Sequence, residues 1–308
     1  MSLIKHIIDN KKYIKKSLNS NNQNNYNNHN NQNNHNNQNN QNNQNNQNNQ
    51  NNQNNQNNQN NQNKTLNNFQ VHIFLLCYNE ELLLSHTIGH YRKYIPDCRI
   101  TIYDNESTDN SVTIAKKLNC KVTSFNTNNE NNPLIKRDIF NECWKGIDGN
   151  NWIIVADMDE WLCVTKEELF NEYKRGVSIL SVKGYDMIGK SMRENSSDIN
   201  LYDINIGVPN IHEDKNICFY KPSIKNMNYT SGHHKCAPLG NIKYSSKTYV
   251  LKHMNILGLK YLINKNLQRY KRSTNARKKN MSTHYTEDIK KITDNYNDKL
   301  KNAFYIIL

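Results

Sequence analysis

The sequence predicts an α/β fold in which a mostly parallel β-sheet is flanked by helices, and two observations support this. Apolar runs of five to seven residues alternate with longer segments of helical periodicity between residues 71 and 156. Polar and acidic residues follow these runs directly, at the positions where the strands would end. Strands that alternate with helices at this spacing form right-handed βαβ units, whose strands are parallel.

The predicted elements follow one another in a regular order. The first run, 71–77, is almost entirely apolar, as in a strand that is buried on both faces. Pro96 ends the helix after it, and Ser107 and Thr108 offer capping hydroxyls to the next helix. The predicted strands are 71–77, 99–103, 121–125, 152–156 and 177–182, and the predicted helices are 81–94, 107–118, 134–145 and a basic helix from about 258.

Residues 1–64 differ in composition from the rest of the chain. Residues 21–63 are almost entirely Asn and Gln, with Gln recurring at every third position through most of the tract. Such a tract has no apolar surface to offset the entropy lost on ordering. We therefore predict that residues 1–64 are a disordered, low-complexity tail with some tendency to β-aggregation, and that residues 65–308 form the folded domain.

The charge is concentrated in one segment. The chain has 40 Lys and Arg, 27 Asp and Glu, and a formal net charge of +13, and residues 252–279 hold nine basic residues and no acid. This segment is either a solvated helix face or a binding surface for phosphate groups or an anionic membrane. The sequence has no apolar run of membrane-spanning length, a poor signal peptide and no Cys-x-x-Cys pair, which predicts a cytoplasmic protein.

Polar residues stand at three predicted strand ends. They are Tyr78, Asn79 and Glu80 after the first strand, Asp104 and Asn105 after the second, and Asp157 and Asp159 after the fourth. In open α/β sheets, ligands bind beyond the carboxyl ends of the strands. Several carboxylates around one point need a cation to neutralise them. The pattern therefore predicts a divalent metal with oxygen ligands and a phosphorylated ligand.

The same motifs resemble those of glycosyltransferases with the GT-A, Rossmann-like fold of the family 2 type. The resemblance is carried by Cys77-Tyr-Asn-Glu80, by Asp104-Asn-Glu-Ser-Thr-Asp109 and by Asp157-Met-Asp-Glu160, which corresponds to the Asp-x-Asp signature. The segment from Gly232 to Gly240 resembles the carboxyl-terminal part of a bacterial and giant-virus branch of these enzymes. The resemblance covers roughly 71–308 and divides the domain into a nucleotide-sugar-binding half, 65–162, and an acceptor-side half, 163–308.

The resemblance implies a metal-dependent glycosyltransferase that uses a nucleotide-sugar donor, a UDP-sugar by expectation, and Mn²⁺ or Mg²⁺. It implies that Tyr78 stacks on the nucleobase, with Asn79 and Glu80 beside it. The other implied donor contacts are Asp104, Asn105, Arg137, Asp157 and Met158, and the implied metal ligands are Asp157, Asp159 and His253. The glycan, protein or lipid-linked acceptor is left open, and the basic segment 252–279 is a candidate for peripheral membrane contact.

The catalytic base is not fixed by the motifs. The attacking hydroxyl needs a base on the face of the sugar opposite the leaving group. Asp186, expected just after the strand at 177–182, is the first candidate, and His234 is the second. The commoner family pattern has two acids and a glycine where this chain has Asp104, Asn105 and Glu106. This difference leaves open which nucleobase the donor carries. Family 2 resemblance also implies inversion at the anomeric carbon.

Three other functions compete with this interpretation. A non-catalytic module that binds a nucleotide sugar would keep the same motifs, because the base is unassigned. A nucleotidyltransferase would carry a glycine-rich, basic phosphate loop after the first strand, where this chain has Tyr78, Asn79 and Glu80. A nucleic-acid-binding function would suit the net charge of +13, but it does not explain the carboxylates at three strand ends, which would repel a phosphate backbone unless a metal neutralised them.

Overall fold

A computed structural model describes residues 69–189 and 200–307 of the chain. The predicted low-complexity tail, 1–64, lies outside the described residues. No helix in the described ranges combines the length and the apolar composition that a membrane crossing requires.

Four parallel strands form the first half of the central sheet. They are β1 (Gln70–Cys77), β2 (Arg99–Asp104), β3 (Lys121–Ser124) and β4 (Asn151–Asp157). β1 pairs with β2 on one side and with β4 on the other, and β2 pairs with β3. The register sets Cys77 opposite Asp104 and Leu76 opposite Asp157, so three neighbouring strands end at one edge.

Three helices connect these strands: α1 (Glu81–Tyr94), α2 (Ser111–Lys117) and α3 (Pro133–Glu142). The Asn132 side chain caps α3 by accepting hydrogen bonds from two backbone N–H groups of its first turn. α2 begins four residues later than predicted. The reason is that Ser107 donates its hydroxyl to Asp104 (2.6 Å) and so belongs to the preceding turn.

The second half of the sheet is largely antiparallel. Its strands are β5 (Glu160–Cys163), β6 (Ile179–Ile188), β7 (Ile206–Pro209), β8 (Cys218–Tyr220), β11 (Tyr244–Ile256) and β12 (Phe304–Tyr305), while β9 (Ile224–Asn226) and β10 (Leu239–Gly240) form a separate pair. β8 joins the two halves by pairing with β4 and β6. The prediction that a strand ends near 182 was wrong, because β6 continues to Ile188 and includes Asp186.

The longest strand, β11, brings distant parts of the chain together. It pairs with β5 in the antiparallel sense and with β6 in the parallel sense. His253 thereby lies opposite Glu160 on one side and opposite Asp186 on the other. The remaining helices are α4 (Lys166–Lys174), α5 (Leu259–Lys271), α6 (Thr274–Lys278) and α7 (Ile289–Asn302).

The core lies on both faces of β1 and β4. Ile73, Leu75 and Ile154 are completely buried there, and Leu83 and Leu84 of α1 pack against them. Burial of each such side chain contributes roughly 1.5–3 kcal/mol. The structure confirms the predicted α/β class, with parallel strands in the first half and added antiparallel strands in the second.

Candidate functional site

A cavity of about 690 Å³ opens at the carboxyl ends of β1 and β4. This volume lies in the range of small-molecule sites, roughly 300–1,000 Å³. Residues from both halves of the sheet line it, together with α5 and the turn around Gly232. The cavity therefore lies where the strand ends predicted a ligand.

The end of β1 supplies Tyr78 and Glu80 to the cavity wall. The Tyr78 hydroxyl donates a hydrogen bond to Asn129 Oδ1 (3.0 Å). Glu80 accepts hydrogen bonds from the Lys265 ammonium at 2.6 and 2.7 Å. Burial nevertheless raises the pKa of the Glu80 carboxyl, against the lowering effect of Lys265.

Asn79 holds the turns after β1 and β2 together. Its backbone has a φ of 51°, a left-handed conformation that Asn tolerates better than most residues. Its backbone N–H donates to Ser107 Oγ (2.9 Å), and its side-chain oxygen accepts from the Thr108 N–H (2.7 Å). Asn79 is not among the described residues that line the cavity. The structure thus places it behind the wall that Tyr78 and Glu80 form.

The two polar residues at the end of β2 have different surroundings. Both oxygens of the buried Asp104 accept hydrogen bonds from Ser107, one from its hydroxyl and one from its N–H. Asn105 is buried too, donates to Thr127 Oγ1 (2.9 Å) and lines the cavity. Asp104 therefore shapes the turn, and Asn105 faces the space in which a ligand would lie.

Three potential metal ligands converge beside the end of β4. Oxygen atoms of Asp157 and Glu160 and a ring nitrogen of His233 lie within 4.8 Å of one another. Two carboxylates with one imidazole form a donor set that suits Mn²⁺. The Glu160 carboxylate also accepts a hydrogen bond from the Asp157 N–H (3.0 Å), which fixes the turn between β4 and β5. These residues fit a divalent cation, and all three line the cavity.

Glu160 is held by buried partners on both sides. Lys215 Nζ lies 2.5 Å from one carboxylate oxygen, and His233 Nε2 lies 3.1 Å from the other. Burial acts to raise the pKa of Glu160, but Lys215 and His233 hold it well below its ordinary value. The carboxylate therefore remains ionised in a position where an unpaired charge would be strongly destabilising.

Asp159 contacts side chains of helix α5. Its Oδ2 accepts a hydrogen bond from Arg269 (2.9 Å), with Lys265 Nζ at 3.6 Å and His253 Nε2 at 3.8 Å. Burial acts to raise the pKa of Asp159, and the surrounding cations lower it far more. Asp159 and His253, both predicted metal ligands, are thus close to each other but outside the group around Asp157.

Asp186 is enclosed by hydrogen-bond donors. It accepts from His253 Nδ1 (2.8 Å), from Lys299 Nζ (2.5 Å) and from Asn210 Nδ2 (3.1 Å). Burial raises the pKa of Asp186, but His253 and Lys299 lower it well below the usual range. For His253, burial lowers the pKa, and the carboxylates of Glu213, Asp159 and Asp186 raise it to about 9.

His234 is exposed and lines the cavity. Its Nδ1 lies 2.7 Å from the carbonyl oxygen of His212, which can only accept, so Nδ1 carries the proton. Partial burial lowers the pKa of the ring. Nε2 is therefore the nitrogen with a free lone pair.

Two further predicted contacts also line the cavity. The Arg137 guanidinium pairs with Asp138 (2.7 Å), its neighbour on α3. Met158 is buried, and its carbonyl accepts a hydrogen bond from Thr87 (2.7 Å).

Several functional candidates were not singled out from the sequence. The sequence analysis identified the basic segment 252–279 only as a whole. The spacing of its residues did not show that the side chains of Lys265 and Arg269 line the cavity. Lys215 and Glu213 sit in a loop with no motif around them, and the sequence carries no signal for their pairing at 2.7 Å. His233 was not among the candidates either, although its ring nitrogen lies 3.1 Å from a carboxylate oxygen of Glu160.

Comparisons with known proteins place these features in context. A family model described as Glycosyl transferase family 2 matches residues 72–236, more than half of the 308-residue chain. Protein RfbJ of Shigella flexneri is 24% identical over 105 residues, which are 34% of this chain and 77% of that protein.

Two solved structures illustrate the similarity of the chain to known folds. The crystal structure of S. aureus TarS 1-349 shares 15% identity with a TM-score of 0.38, over 65% of this chain and 65% of that one. Glucosyl-3-phosphoglycerate synthase from Mycobacterium tuberculosis, crystallised with Mn²⁺, UDP and glucosyl-3-phosphoglycerate, shares 14% identity with a TM-score of 0.29, over 39% of this chain and 46% of that one. The chain thus spans less than two thirds of either structure.

Proposed function

Because the chain belongs to glycosyl transferase family 2, we propose that it transfers a sugar from a nucleotide-sugar donor, bound in the 690 Å³ cavity, to an acceptor hydroxyl. The observation that carries the proposal is the convergence of Asp157, Glu160 and His233 beside Tyr78 and the inward-facing cations of α5. The aromatic ring can stack on a nucleobase, the three ligands can hold a cation, and the positive charges can bind a diphosphate. A nucleoside diphosphate sugar is the ligand class that needs all three.

The donor would lie along the edge formed by the strand ends. Aromatic rings stack with nucleobases, so Tyr78 would hold the base and Asn105 its polar edge. A divalent cation, with Mn²⁺ as our first choice, would be held by Asp157, Glu160 and His233, and when bound it stabilises negative charge on the diphosphate. The preference for a UDP-sugar comes from the motif resemblance alone.

Lys265 and Arg269 would take part in stabilising the leaving group. Both cations now pair with Glu80 and Asp159, and both line the cavity. As the bond between the anomeric carbon and the phosphate oxygen breaks, its electron pair goes to that oxygen. Fixed cations beside the developing charge lower the barrier without having to reorganise. The helix α5 would therefore contribute to catalysis as well as to packing.

His234 is the better candidate for the base. The acceptor oxygen forms a bond to the anomeric carbon and loses its proton, which a base must accept. Asp186, our first choice from the sequence, is already bonded to three donors and has little capacity for another proton. His234 presents a free Nε2 to the cavity. Attack from the side opposite the diphosphate would invert the anomeric carbon.

The proposal is tested by measuring donor binding and nucleotide release by the full chain. A panel of UDP-, GDP-, dTDP- and CMP-sugars is titrated with Mn²⁺, with Mg²⁺ and with EDTA. We expect one nucleotide sugar to bind only with metal and to be hydrolysed slowly. We expect Asp157→Asn to weaken its binding at least about tenfold, which corresponds to ~1.4 kcal/mol.

Asp148→Asn is the matched control, because Asp148 is an exposed acid and is not one of the described residues that line the cavity. It should bind the donor like the wild type. A wild type that binds none of the panel would contradict the proposal, and so would donor binding that is indifferent to metal and to Asp157→Asn.

A further inference from the structure

The Arg272 guanidinium lies over the ring of Tyr78. Its central carbon is 3.1 Å from the ring centroid. Asn129 holds the two groups together: its Oδ1 accepts from the Tyr78 hydroxyl (3.0 Å) and from Arg272 Nε (3.2 Å). The Asn129 carbonyl also accepts from Arg272 Nε (3.1 Å). One exposed asparagine thus fixes the guanidinium against the face of the ring.

Arg272 also has an unused donor. Its Nη2 is shielded from water and has no hydrogen-bond partner among the described residues. A buried N–H without a partner carries a free-energy cost, which is greatest for charged groups. Arg272 and Tyr78 both line the cavity, so a ligand that enters the cavity can supply the missing acceptor.

The position of Arg272 follows from the helix before it. Lys265 and Arg269 lie four residues apart on α5, and Arg272 follows three residues later, so the three side chains share one face. Lys265 reaches Glu80, and Arg269 reaches Asp159, which is two residues along the chain from Asp157. Arg272 alone reaches the aromatic ring. The first two cations therefore lie at the phosphate end of the proposed donor site and Arg272 at its base end.

We propose that Arg272 is a specificity-determining residue that recognises the nucleobase of the donor, an inference that rests on the function proposed above. The base displaces the guanidinium from the ring face of Tyr78, because a gap of 3.1 Å leaves no room for a flat group between them. Arg272 then meets the edge of the base, where Nη2 donates to a base oxygen. The planar, fixed donors of Arg suit this role better than the ammonium of Lys.

The test compares nucleotide binding by the full-length wild type with binding by Arg272→Ala, Arg272→Lys and Lys271→Ala. UMP, UDP, GMP and GDP are titrated calorimetrically with Mn²⁺ present, and thermal melting shows that each variant is folded. We expect both Arg272 variants to bind the preferred nucleotide about tenfold more weakly, by the same factor for its mono- and diphosphate. Their preference between uridine and guanosine nucleotides should narrow. Lys271→Ala, which removes a neighbouring exposed cation, should bind like the wild type.

Two results would overturn this inference. One is wild-type affinity and base preference in Arg272→Ala. The other is a loss confined to the diphosphates and restored in Arg272→Lys, which would make Arg272 a phosphate contact. Failure of the proposed function is seen separately, in a wild type that binds none of the nucleotide sugars of the panel above, and that result overturns both proposals.

Discussion

At the scale of single residues, the cavity is defined by how its charges are paired. Asp159 and Glu160 are buried, Glu80 is partly buried, and each of the three has a cation within 3.0 Å. No hydrogen bond or ion pair within the described ranges engages the carboxylate of Asp157, although it lines the same cavity. The acid that is left available is therefore the one best placed to bind an added cation.

The number of hydrogen-bond partners also distinguishes Asp186 from His234 as candidates for the catalytic base. His234→Ala removes the free Nε2, and we expect turnover to fall by roughly 10²–10⁴-fold while donor binding is retained. Asp186→Asn removes a charge that Lys299 and His253 need, so its main expected effect is loss of stability. Turnover, donor affinity and melting temperature are measured for both variants.

The opposite outcome for the two variants would identify Asp186 as the catalytic base. If Asp186→Asn is folded and binds donor but does not turn over, while His234→Ala works at close to the wild-type rate, then Asp186 is the base. The ranking of Asp186 ahead of His234 in the sequence analysis would then be correct.

At the scale of elements, strand pairing rather than local sequence builds the second half of the site. β11 sets His253 between Glu160 of β5 and Asp186 of β6. β6 must approach the turn at Ile211–Glu213 closely, and Gly184 permits this. A Cβ atom built on Gly184 would lie 2.2 Å from Cβ of Glu213 and 2.5 Å from its backbone.

We therefore expect Gly184→Ala to destabilise the fold by about 1–3 kcal/mol, because backbone atoms must move to accept the methyl group. Urea unfolding of the full chain measures the effect. Gly146→Ala is the control, since a Cβ there meets nothing within 4 Å. That change should leave stability unaltered or raise it by a few tenths of a kcal/mol. Equal effects of the two substitutions would contradict the close approach of β6 to this turn.

At the scale of the whole molecule, the two halves differ in how far the sequence predicts them. The runs at Val71–Cys77 and Trp152–Ala156 are continuous and apolar because their strands are buried on both faces, so their positions could be predicted. The strand ends that supply Tyr78 and Asp157 followed from those positions. The predicted fold class and family were confirmed on this basis.

The contacts that build the second half of the site could not be predicted from the sequence, for a physical reason. Its contacts join residues far apart in the chain, such as Lys265 with Glu80 and Lys299 with Asp186. No local pattern encodes such pairs, because they depend on the path that β11 and α5 take after folding. The roles assigned to Asp159, His253 and the other site residues accordingly stay predictions, and so does the division of the domain at 162.

The most direct test of the whole account is a crystal structure of the full chain with Mn²⁺ and UDP. We predict the cation on Asp157, the base on the ring of Tyr78 and the diphosphate between the cation and the side chains of Lys265 and Arg269. A nucleotide bound outside this cavity, or a cation bound there without Asp157, would contradict the account.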